Sequence, residues 1–515
     1  MSAREVTRRG FLAGSLAVTA SALAPVRAAR AAASDLDFAS ALDAGRAIRS
    51  GEVSSVELTT RVLDRIQQHN GKLNAIVALA QDAVDRARVA DAAGARRDWA
   101  GPLHGVPCTI KDTFEVAGLT TTAGSPTLRS HVPARDAAVV ARLRAAGMIV
   151  VGKTNVPLFS ADWQSYNAVY GQTNNPWDVT RTPGGSTGGG AAALAAGLTY
   201  LEPGSDLAGS IRIPAHFCGV YGHKPSLDVV PMRGHIPPPP GISASPPSTL
   251  PVAGPLARSA ADLRAALEVL GGPDGDEARA WRWSLPPARG TRLADYRIGY
   301  ILDDPRAPVA PEVGDALVAA IEALRRAGAQ VTEGWPPGVD PAEQFDAYYT
   351  LLAARFTGPV REDQLAGFRQ LAASQGTSYL ARYARAVTAS DGFMQTVETR
   401  RRVARSVWQA YFRAHDAFLM PTALVAAFPH DQAGTPFMRV LATPRGERPY
   451  VDLCFWTSFA LLAGLPATTA PVGFTPGGLP VGIQIVGPYL EDATPIDLAG
   501  RLADVIGGFR PPPGF

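Results

Sequence analysis

The sequence predicts an α/β protein in which a central sheet is covered by helices. From residue 102 onward, short apolar runs of strand length alternate with stretches of helical pattern. The chain is 46% hydrophobic and 18% charged, which is typical of a globular enzyme, and its 51 Gly and 44 Pro supply many turns. With 515 residues it can bury a large core, as one domain or as a core with a second lobe.

The first 33 residues differ from the rest of the chain. The pair Arg8 and Arg9 precedes an apolar stretch over 11–24, and small-residue sites of the A-x-A type follow it. This pattern predicts a twin-arginine signal peptide over 1–33, with an amphipathic N-terminal helix as the alternative. The apolar stretch is too short to span a bilayer. We therefore expect a periplasmic or secreted protein that has no membrane partner once the signal is removed.

Charge and cysteine content exclude several other classes. Residues 1–33 hold five Arg and one Glu, a net of +4, so a chain beginning at residue 34 changes from a formal charge of +3 to −1. This balance gives no basic excess for binding nucleic acid. The three cysteines are far apart in sequence and lack the spacing of a disulfide framework or a metal site. We predict no metal and no cofactor.

Three helices are predicted before the first strand. Residues 35–70 contain two helical patterns, and the spacing of Ser54 and Glu57 predicts a capping box, with Val53 and Leu58 as a hydrophobic staple. A third helix is expected over 75–93. We interpret all three as packing elements.

Two lysines lie at the ends of predicted strands. A strand over 106–111 ends at Lys111, a helix is expected over 136–146, and a second strand over 148–152 is followed by Lys153. Because a desolvated Lys can lose its proton at neutral pH and Arg cannot, both lysines are candidate bases.

A glycine-rich segment over 181–224 carries two serines, Ser186 and Ser210. Glycines let a backbone approach a ligand closely, so the segment is typical of an oxyanion-binding site. It is not a phosphate loop, because Gly190 is followed by Ala instead of Lys. The run 184–188 spells G-x-S-x-G, which would make Ser186 a nucleophile, but the polar, Pro-containing residues before it do not predict the required strand.

Three motifs together resemble the amidase signature family. They are Lys111 in GVPCTIKD, Ser186 in PGGSTGGG and Ser210 in GSDLAGSIRIPAHFCGVYGHKP, in matching order and spacing. The resemblance extends from about residue 35 to the C-terminus. It implies the amidase signature fold, a mixed central β-sheet covered by helices on both faces, with a largely helical variable region over the site. It also implies a Ser-Ser-Lys triad, in which Ser210 is the nucleophile, Ser186 a bridging serine on a cis peptide bond, and Lys111 the base.

The resemblance places an oxyanion hole just before the nucleophile. We expect the backbone N–H groups of Leu207, Ala208, Gly209 and Ser210 to bind the carbonyl oxygen, and the loss of one such donor typically lowers the rate about 100- to 1000-fold. Ala208 stands where relatives usually carry Gly, so its Cβ is expected to narrow the hole or restrict the backbone.

The ionisable neighbours of Ser210 are expected to have structural roles. Asp206 and Arg212 are expected to pair and brace the turn. His216 and His223 are alternative bases, but a His in an apolar, Gly-rich segment is more often hydrogen-bonded within a core, and the lysine mechanism leaves them no necessary role.

The remaining pattern completes the sheet. A Pro-rich loop over 225–251 borders the site, and residues from 253 restart a helix that Ser259 caps and that runs to about 270. Later elements are strands over 296–301, 330–332, 417–422, 465–473 and 479–487, helices over 311–327 and 495–505, and a largely helical stretch over 341–415. We divide the chain into a signal peptide (1–33), a first core part (34–280), a variable, largely helical region (281–440) and a C-terminal core part (441–515).

The leading hypothesis is a hydrolase that cleaves the C–N bond of small-molecule carboxylic amides through an acyl-enzyme. The alternatives are a carbamate or ester hydrolase of the same family, the glutamine-hydrolysing subunit of an amidotransferase, which the export signal opposes, and a non-enzymatic amide-binding protein. The natural substrate is left open, and so is the oligomeric state, with a homodimer as one option.

Overall fold

The computed structural model describes residues 36–240, 250–356, 362–374, 376 and 378–515. The predicted signal peptide over 1–33 lies outside the described residues. Within them, the strands form an eight-stranded sheet, a three-stranded sheet and two small two-stranded ribbons.

The strands are numbered in chain order. They are β1 (Ile76–Leu79), β2 (Pro107–Lys111), β3 (Ile149–Thr154), β4 (Tyr166–Asn167), β5 (Gly171–Gln172), β6 (Leu201–Asp206), β7 (Tyr221–Lys224), β8 (Val252–Ala257), β9 (Arg297–Tyr300), β10 (Gln330–Glu333), β11 (Ala417–Pro421), β12 (Val440–Thr443), β13 (Gly446–Pro449), β14 (Ala467–Phe474) and β15 (Pro480–Val486).

The helices are numbered in the same way. They are α1 (Ala41–Ser50), α2 (Ser55–Leu73), α3 (Ala83–Ala95), α4 (Ala138–Ala145), α5 (Gly188–Ala195), α6 (Arg212–Cys218), α7 (Ala260–Leu270), α8 (Glu277–Ala280), α9 (Pro311–Arg326), α10 (Pro341–Arg355), α11 (Glu362–Ala373), α12 (Tyr379–Val387), α13 (Asp391–Tyr411), α14 (Phe455–Leu462) and α15 (Ala493–Ile506).

Both large sheets are mixed. The eight-stranded sheet has the order β10-β9-β11-β15-β14-β7-β8-β6, with parallel pairing between β10, β9 and β11 and antiparallel pairing in the rest. The three-stranded sheet has the order β1-β3-β2, with β2 parallel and β1 antiparallel to β3. The α/β fold with a mixed central sheet flanked by helices is therefore confirmed. Residues 281–440, predicted to be largely helical, also contribute β9, β10 and β11; the predicted division of the chain into parts stays a prediction.

Near the N-terminus, the sequence correctly predicts the cap of α2 but misses the strand β1 that follows this helix. Ser54 accepts a hydrogen bond from the Glu57 N–H, and the Glu57 carboxylate accepts one from the Ser54 N–H, which confirms the capping box. The helix predicted over 75–93 instead contains β1, and α3 begins only at Ala83. The β-branched residues Ile76 and Val77 at the start of β1 favour an extended backbone, and pairing with β3 stabilises the strand.

A second correction concerns the residues before α7. Ser259 caps that helix as predicted, accepting from the Asp262 N–H. The six residues Val252–Ala257 form β8, a fully buried strand between β7 and β6, instead of beginning the helix.

Two features of the described residues bear on function. These residues contain no group of three or more His, Cys, Asp or Glu side chains arranged to hold a metal ion. Nor does this part of the chain contain a helix with the length and apolar character needed to cross a bilayer.

Candidate active site

Lys111 is the centre of the site. It ends β2 and is fully buried, and its Nζ lies 2.7 Å from Oγ of Ser186. The same Nζ lies 3.0 Å from Oγ and 3.4 Å from the carbonyl oxygen of Ser205, at the end of β6. The Gly185–Ser186 peptide bond is cis, as the resemblance implied. Lys111 and Ser186, which are 75 positions apart in sequence, are thus in direct contact.

The surroundings of Lys111 favour its neutral form. Burial lowers the pKa of the ammonium, and the negative charges of Asp206 and Glu202 only partly oppose this, so that the pKa falls to about 7. An exposed Lys would be almost wholly protonated at neutral pH. A large fraction of Lys111 is therefore a free amine at neutral pH, as a general base must be.

Ser210 lies beside Ser186 but is more accessible. The N–H of Thr187, which follows Ser186, donates to the carbonyl oxygen of Ser210 at 3.1 Å, so the two serine segments are joined through their backbones. Ser186 is fully buried, whereas Ser210 retains 6% of its surface. Of the two serines, only Ser210 presents surface to an incoming substrate.

The cis-linked segment is packed too closely for a side chain at Gly185. A Cβ there would lie 2.6 Å from the carbonyl oxygen of Asp162 and 2.7 Å from the N–H nitrogen of Gln164. This close approach explains why the turn that presents Ser186 is built from glycine.

One member of the predicted oxyanion hole is already occupied. The Gly209 N–H donates to Oδ1 of Asp206 at 2.8 Å, so this predicted donor is already paired within the turn. The N–H groups of Leu207, Ala208 and Ser210 have no acceptor among the described residues. These three remain as the candidate donors. Ala208 does not have a positive φ, so its Cβ causes no left-handed strain at this position.

The turn is braced by a buried ion pair, as predicted. The guanidinium of Arg212 donates to both carboxylate oxygens of Asp206, at 2.9 and 3.0 Å, and also to the carbonyl oxygen of Thr457 at 3.0 Å. Burial alone would raise the pKa of the Asp206 carboxyl, but the charge and hydrogen bonds of Arg212, together with the charge of Lys224 and the Gly209 N–H, more than offset it, and the pKa falls below its usual value. Asp206 is therefore a charged anchor for the turn.

The rival base Lys153 serves the core instead. Its Nζ donates to the carbonyl oxygen of Phe114 at 2.7 Å and to Oγ1 of Thr121 at 2.9 Å, and it pairs with Asp112 at 3.2 Å. These contacts use its three N–H groups and leave none for Ser186 or Ser210.

Both rival histidines are held by the core as well. His216 lies between Gly482, whose N–H donates to its Nδ1 at 2.7 Å, and the carbonyl oxygen of Val425. His223 contacts Thr468 and Asp492. Neither forms a hydrogen bond with the two serines.

Aromatic side chains from two other parts of the chain fix the turn over 207–210, which carries the candidate oxyanion donors and is called the oxyanion turn below. Nε1 of Trp163 donates to the carbonyl oxygen of Ala208 at 2.7 Å, and the hydroxyl of Tyr348, in α10, donates to that of Leu207 at 3.0 Å. With these carbonyls held on one side, the N–H groups of the turn are fixed in direction. Tyr348 also shows that the helical region reaches the site.

Comparison with known proteins agrees with this geometry. The model of the family described as Amidase matches residues 57–495. The chain belongs to the amidase signature family. It is thus an enzyme of a family that acts on amides.

Relatives within the amidase signature family carry two kinds of name. The chain is 32% identical over 507 residues to a glutamyl-tRNA(Gln) amidotransferase subunit of Bdellovibrio bacteriovorus, covering 93% of this chain and 99% of that protein. Among solved structures, it resembles the peptide amidase of Stenotrophomonas maltophilia, with a TM-score of 0.72, 29% identity, and coverage of 92% and 98% of the two chains. It also resembles the corresponding glutamyl-tRNA(Gln) amidotransferase subunit of Thermotoga maritima, with a TM-score of 0.70, 25% identity, and coverage of 89% and 94%.

Three residues of this amidase signature site were missed by the sequence analysis. Ser205 and Glu202 lie on β6, and His235 lies in the Pro-rich loop after β7. All three are buried, and Ser205 contacts both Lys111 and His235. The Pro-rich loop was correctly expected to border the site, but its one histidine carried no signal of its own.

Proposed function

We propose that this protein hydrolyses carboxylic amides through an acyl-enzyme on Ser210, with Ser186 as the bridging serine and Lys111 as the base. The observation that carries the proposal is the 2.7 Å contact between Nζ of the buried Lys111 and Oγ of Ser186. It joins a base with a pKa near neutrality to a serine whose segment is hydrogen-bonded to that of the accessible Ser210.

The acylation step follows from this arrangement. Oγ of Ser210 attacks the carbonyl carbon while its proton passes to Oγ of Ser186, whose own proton passes to the neutral amine of Lys111. The negative charge that forms on the carbonyl oxygen is bound by the N–H groups of Leu207, Ala208 and Ser210. The C–N bond then breaks, the proton returns through Ser186 to the leaving amine, and the acyl group remains on Ser210 as an ester.

Deacylation reverses the relay. A water molecule gives its proton to Ser186 and, through it, to Lys111 as the water oxygen attacks the ester carbon. Collapse of the second tetrahedral intermediate breaks the C–O bond, returns the proton to Oγ of Ser210 and releases the carboxylic acid. Every group that the cycle uses belongs to the described part of this one chain.

A second candidate is glutamine hydrolysis within an amidotransferase complex. It is favoured by the name of the B. bacteriovorus relative, which matches nearly its whole length. The peptide amidase likeness favours an enzyme that acts on free amides, and its identity and coverage are comparable. The same catalytic residues serve both reactions, so substrate choice separates them. Carbamate and ester substrates remain alternatives of the same chemistry.

The location of the protein is part of the proposal. The twin-arginine pattern supports an exported protein, periplasmic or secreted, and an exported protein would meet free amides instead of aminoacyl-tRNA. A full-length fusion to a reporter that is active only after twin-arginine export would test this, with Arg8→Lys and Arg9→Lys together as the matched control.

The test of the activity is a substrate panel with three variants. Anilides, primary amides including free glutamine, and p-nitrophenyl esters are offered to the wild type, Ser210→Ala, Ser186→Ala and Lys111→Ala. We expect amide turnover by the wild type and a loss of at least about 1000-fold in each variant, because the three residues act as one unit.

Two results would overturn parts of the proposal. Retained activity in Ser210→Ala with loss in Ser186→Ala would make Ser186 the nucleophile. A wild type that releases ammonia from glutamine and acts on no other member of the panel would favour the amidotransferase hypothesis.

A further inference from the structure

A buried chain of hydrogen bonds leads from Lys111 through Ser205 to His235. Nζ of Lys111 lies 3.0 Å from Oγ of Ser205, which lies 2.9 Å from Nε2 of His235. On the other side of the ring, Nδ1 of His235 lies 3.1 Å from the carbonyl oxygen of Pro237. Lys111 is fully buried, and Ser205 and His235 are 5% and 8% exposed, so solvent competes little for these bonds.

The direction of each bond is fixed from the far end. The carbonyl oxygen of Pro237 can only accept, so Nδ1 of His235 carries the hydrogen and Nε2 presents a lone pair. Burial and the nearby Lys111 lower the pKa of His235 to about 3, so the ring stays neutral at working pH. The Ser205 hydroxyl must then donate to Nε2, and its oxygen faces Lys111 as an acceptor.

This order of donors sets the direction of the lysine lone pair. A neutral amine has two N–H groups and one lone pair. Oγ and the carbonyl oxygen of Ser205 accept the two N–H groups, at 3.0 and 3.4 Å, which leaves the lone pair toward Oγ of Ser186 at 2.7 Å. We propose that His235, acting through Ser205, is a positioning residue that keeps the lone pair of Lys111 directed at Ser186. This inference rests on the proposed function.

The other charged groups near Lys111 do not supply this direction. Asp206 and Glu202, both on β6, influence Lys111 through their charge and form no hydrogen bond with its Nζ among the described residues. On the neighbouring strand β3, Lys153 is paired with Asp112. The Ser205 and His235 pair is thus the part of the surroundings that orients the amine.

The test compares two substitutions at His235. In His235→Leu the Ser205 hydroxyl loses its acceptor and turns its hydrogen toward the lone pair of Lys111, which blocks proton transfer from Ser186 and stabilises the neutral amine. With an anilide that the wild type hydrolyses, we expect kcat to fall about 10- to 100-fold with little change in KM. The acid limb of kcat/KM should move to lower pH. In His235→Gln the side-chain oxygen can accept at the position of Nε2, so most of the rate and the original limb should return.

Two further variants separate orientation from stability. Ser205→Ala removes the same link, so His235→Leu/Ser205→Ala should be no slower than Ser205→Ala alone. His104→Leu is the matched control, because His104 is also buried, at 6% exposure, and its ring forms hydrogen bonds with backbone groups of Ala90 and Ala100 and packs against Trp99, away from Lys111 and the two serines. It should lower Tm and leave the pH profile unchanged.

Three outcomes would overturn the inference. They are an unshifted acid limb in His235→Leu, no rescue by His235→Gln, or losses in the double variant that multiply. If His235→Leu does not fold, an unaltered acid limb in Ser205→Ala overturns it. A Lys111→Ala variant that keeps its activity would instead show that the proposed function itself is wrong.

Discussion

At the residue scale, the proposed function depends on a lysine that gives up its proton near neutrality. Burial is the largest cause of the lowered pKa of Lys111, and Asp206 and Glu202 keep the pKa from falling further, to leave it at about 7. The working form is the neutral amine. The folded-state pKa lies below that of an exposed lysine. As the pH falls through about 7, Lys111 therefore gains a proton and can no longer act as the base.

We therefore expect kcat/KM to rise with pH through about 7 and to fall about tenfold for each unit below it. Initial rates on one amide between about pH 5 and 9, with stability checked at each pH, measure this. Lys153→Met is not a suitable control, since it would leave Asp112 unpaired in the core. Lys72→Met, at an exposed lysine, is suitable and should keep the wild-type profile. A rate that stays constant down to about pH 4 would contradict the role of Lys111.

The sequence alone could point to the three proposed catalytic residues but not to all of the groups that surround them. Lys111, Ser186 and Ser210 lie in motifs whose order and spacing can be read directly from the sequence. His235 is 30 positions from Ser205 and lies in a Pro-rich loop, so its contact depends on how that loop returns to the site. The pairing of the Gly209 N–H with Asp206 was missed for a similar reason, because only the folded turn brings the two groups together.

At the scale of elements, the site lies where two sheets meet. Lys111 belongs to β2, at one end of the three-stranded sheet, and Ser205 to β6, at one end of the eight-stranded sheet. No backbone ladder joins β2 to β6 among the described strands. Side chains join them instead, because the carboxylate of Glu202 on β6 accepts from Oγ1 of Thr109 on β2, at 2.6 Å, and from Oγ1 of Thr154 on β3.

The clamp formed by Glu202, Thr109 and Thr154 also explains a glycine. Gly190 is the third residue of α5, and a Cβ there would lie 2.4 Å from Cγ of Glu202. The helix that follows Ser186 can therefore pack directly on the clamp only if it begins with small residues. The sequence pattern indicates the backbone freedom of these glycines but does not reveal this packing role.

We expect Glu202→Ala to be strongly destabilising. It leaves the hydroxyls of Thr109 and Thr154 unpaired and opens a cavity between the sheets, at a cost of roughly 2–5 kcal/mol in the free energy of unfolding. Glu202→Gln should retain most of the stability, because an amide can accept from one hydroxyl and donate to the other. Urea unfolding measures both. The control Glu268→Ala removes a half-exposed Glu paired with Arg264 and should change stability by less than about 0.5 kcal/mol. Equal losses in Glu202→Ala and the control would refute the clamp.

The strands themselves were predictable to different degrees. Runs with strong β-branched character next to turn signals, such as those that became β3 and β15, were placed within a few residues. β1 was not, because its four residues precede a longer helical pattern, and only pairing with β3 decides in favour of a strand. Short edge strands depend on a partner that the local sequence does not reveal.

At the scale of the whole molecule, the described chain supplies every protein group that the proposed mechanism uses. The first core part supplies Lys111, Ser186 and Ser210, α10 of the helical region supplies Tyr348, and Thr457 of the C-terminal part accepts from Arg212. The oxyanion turn is held by contacts within one chain. We therefore expect that the proposed catalytic groups assemble without association with another protein.

This completeness predicts that specific activity does not depend on enzyme concentration. For the best substrate of the panel, kcat should stay constant over about a hundredfold range of dilution, because mass action affects only a site that needs a second chain. The measurement is initial rate against enzyme concentration, paired with light scattering to report the oligomeric state at each point. A homodimer that dissociates without loss of activity agrees with the prediction. Activity that falls with dissociation, or that appears only when a second protein is added, would show that a partner completes the site, and it would move the assignment toward a component of an amidotransferase.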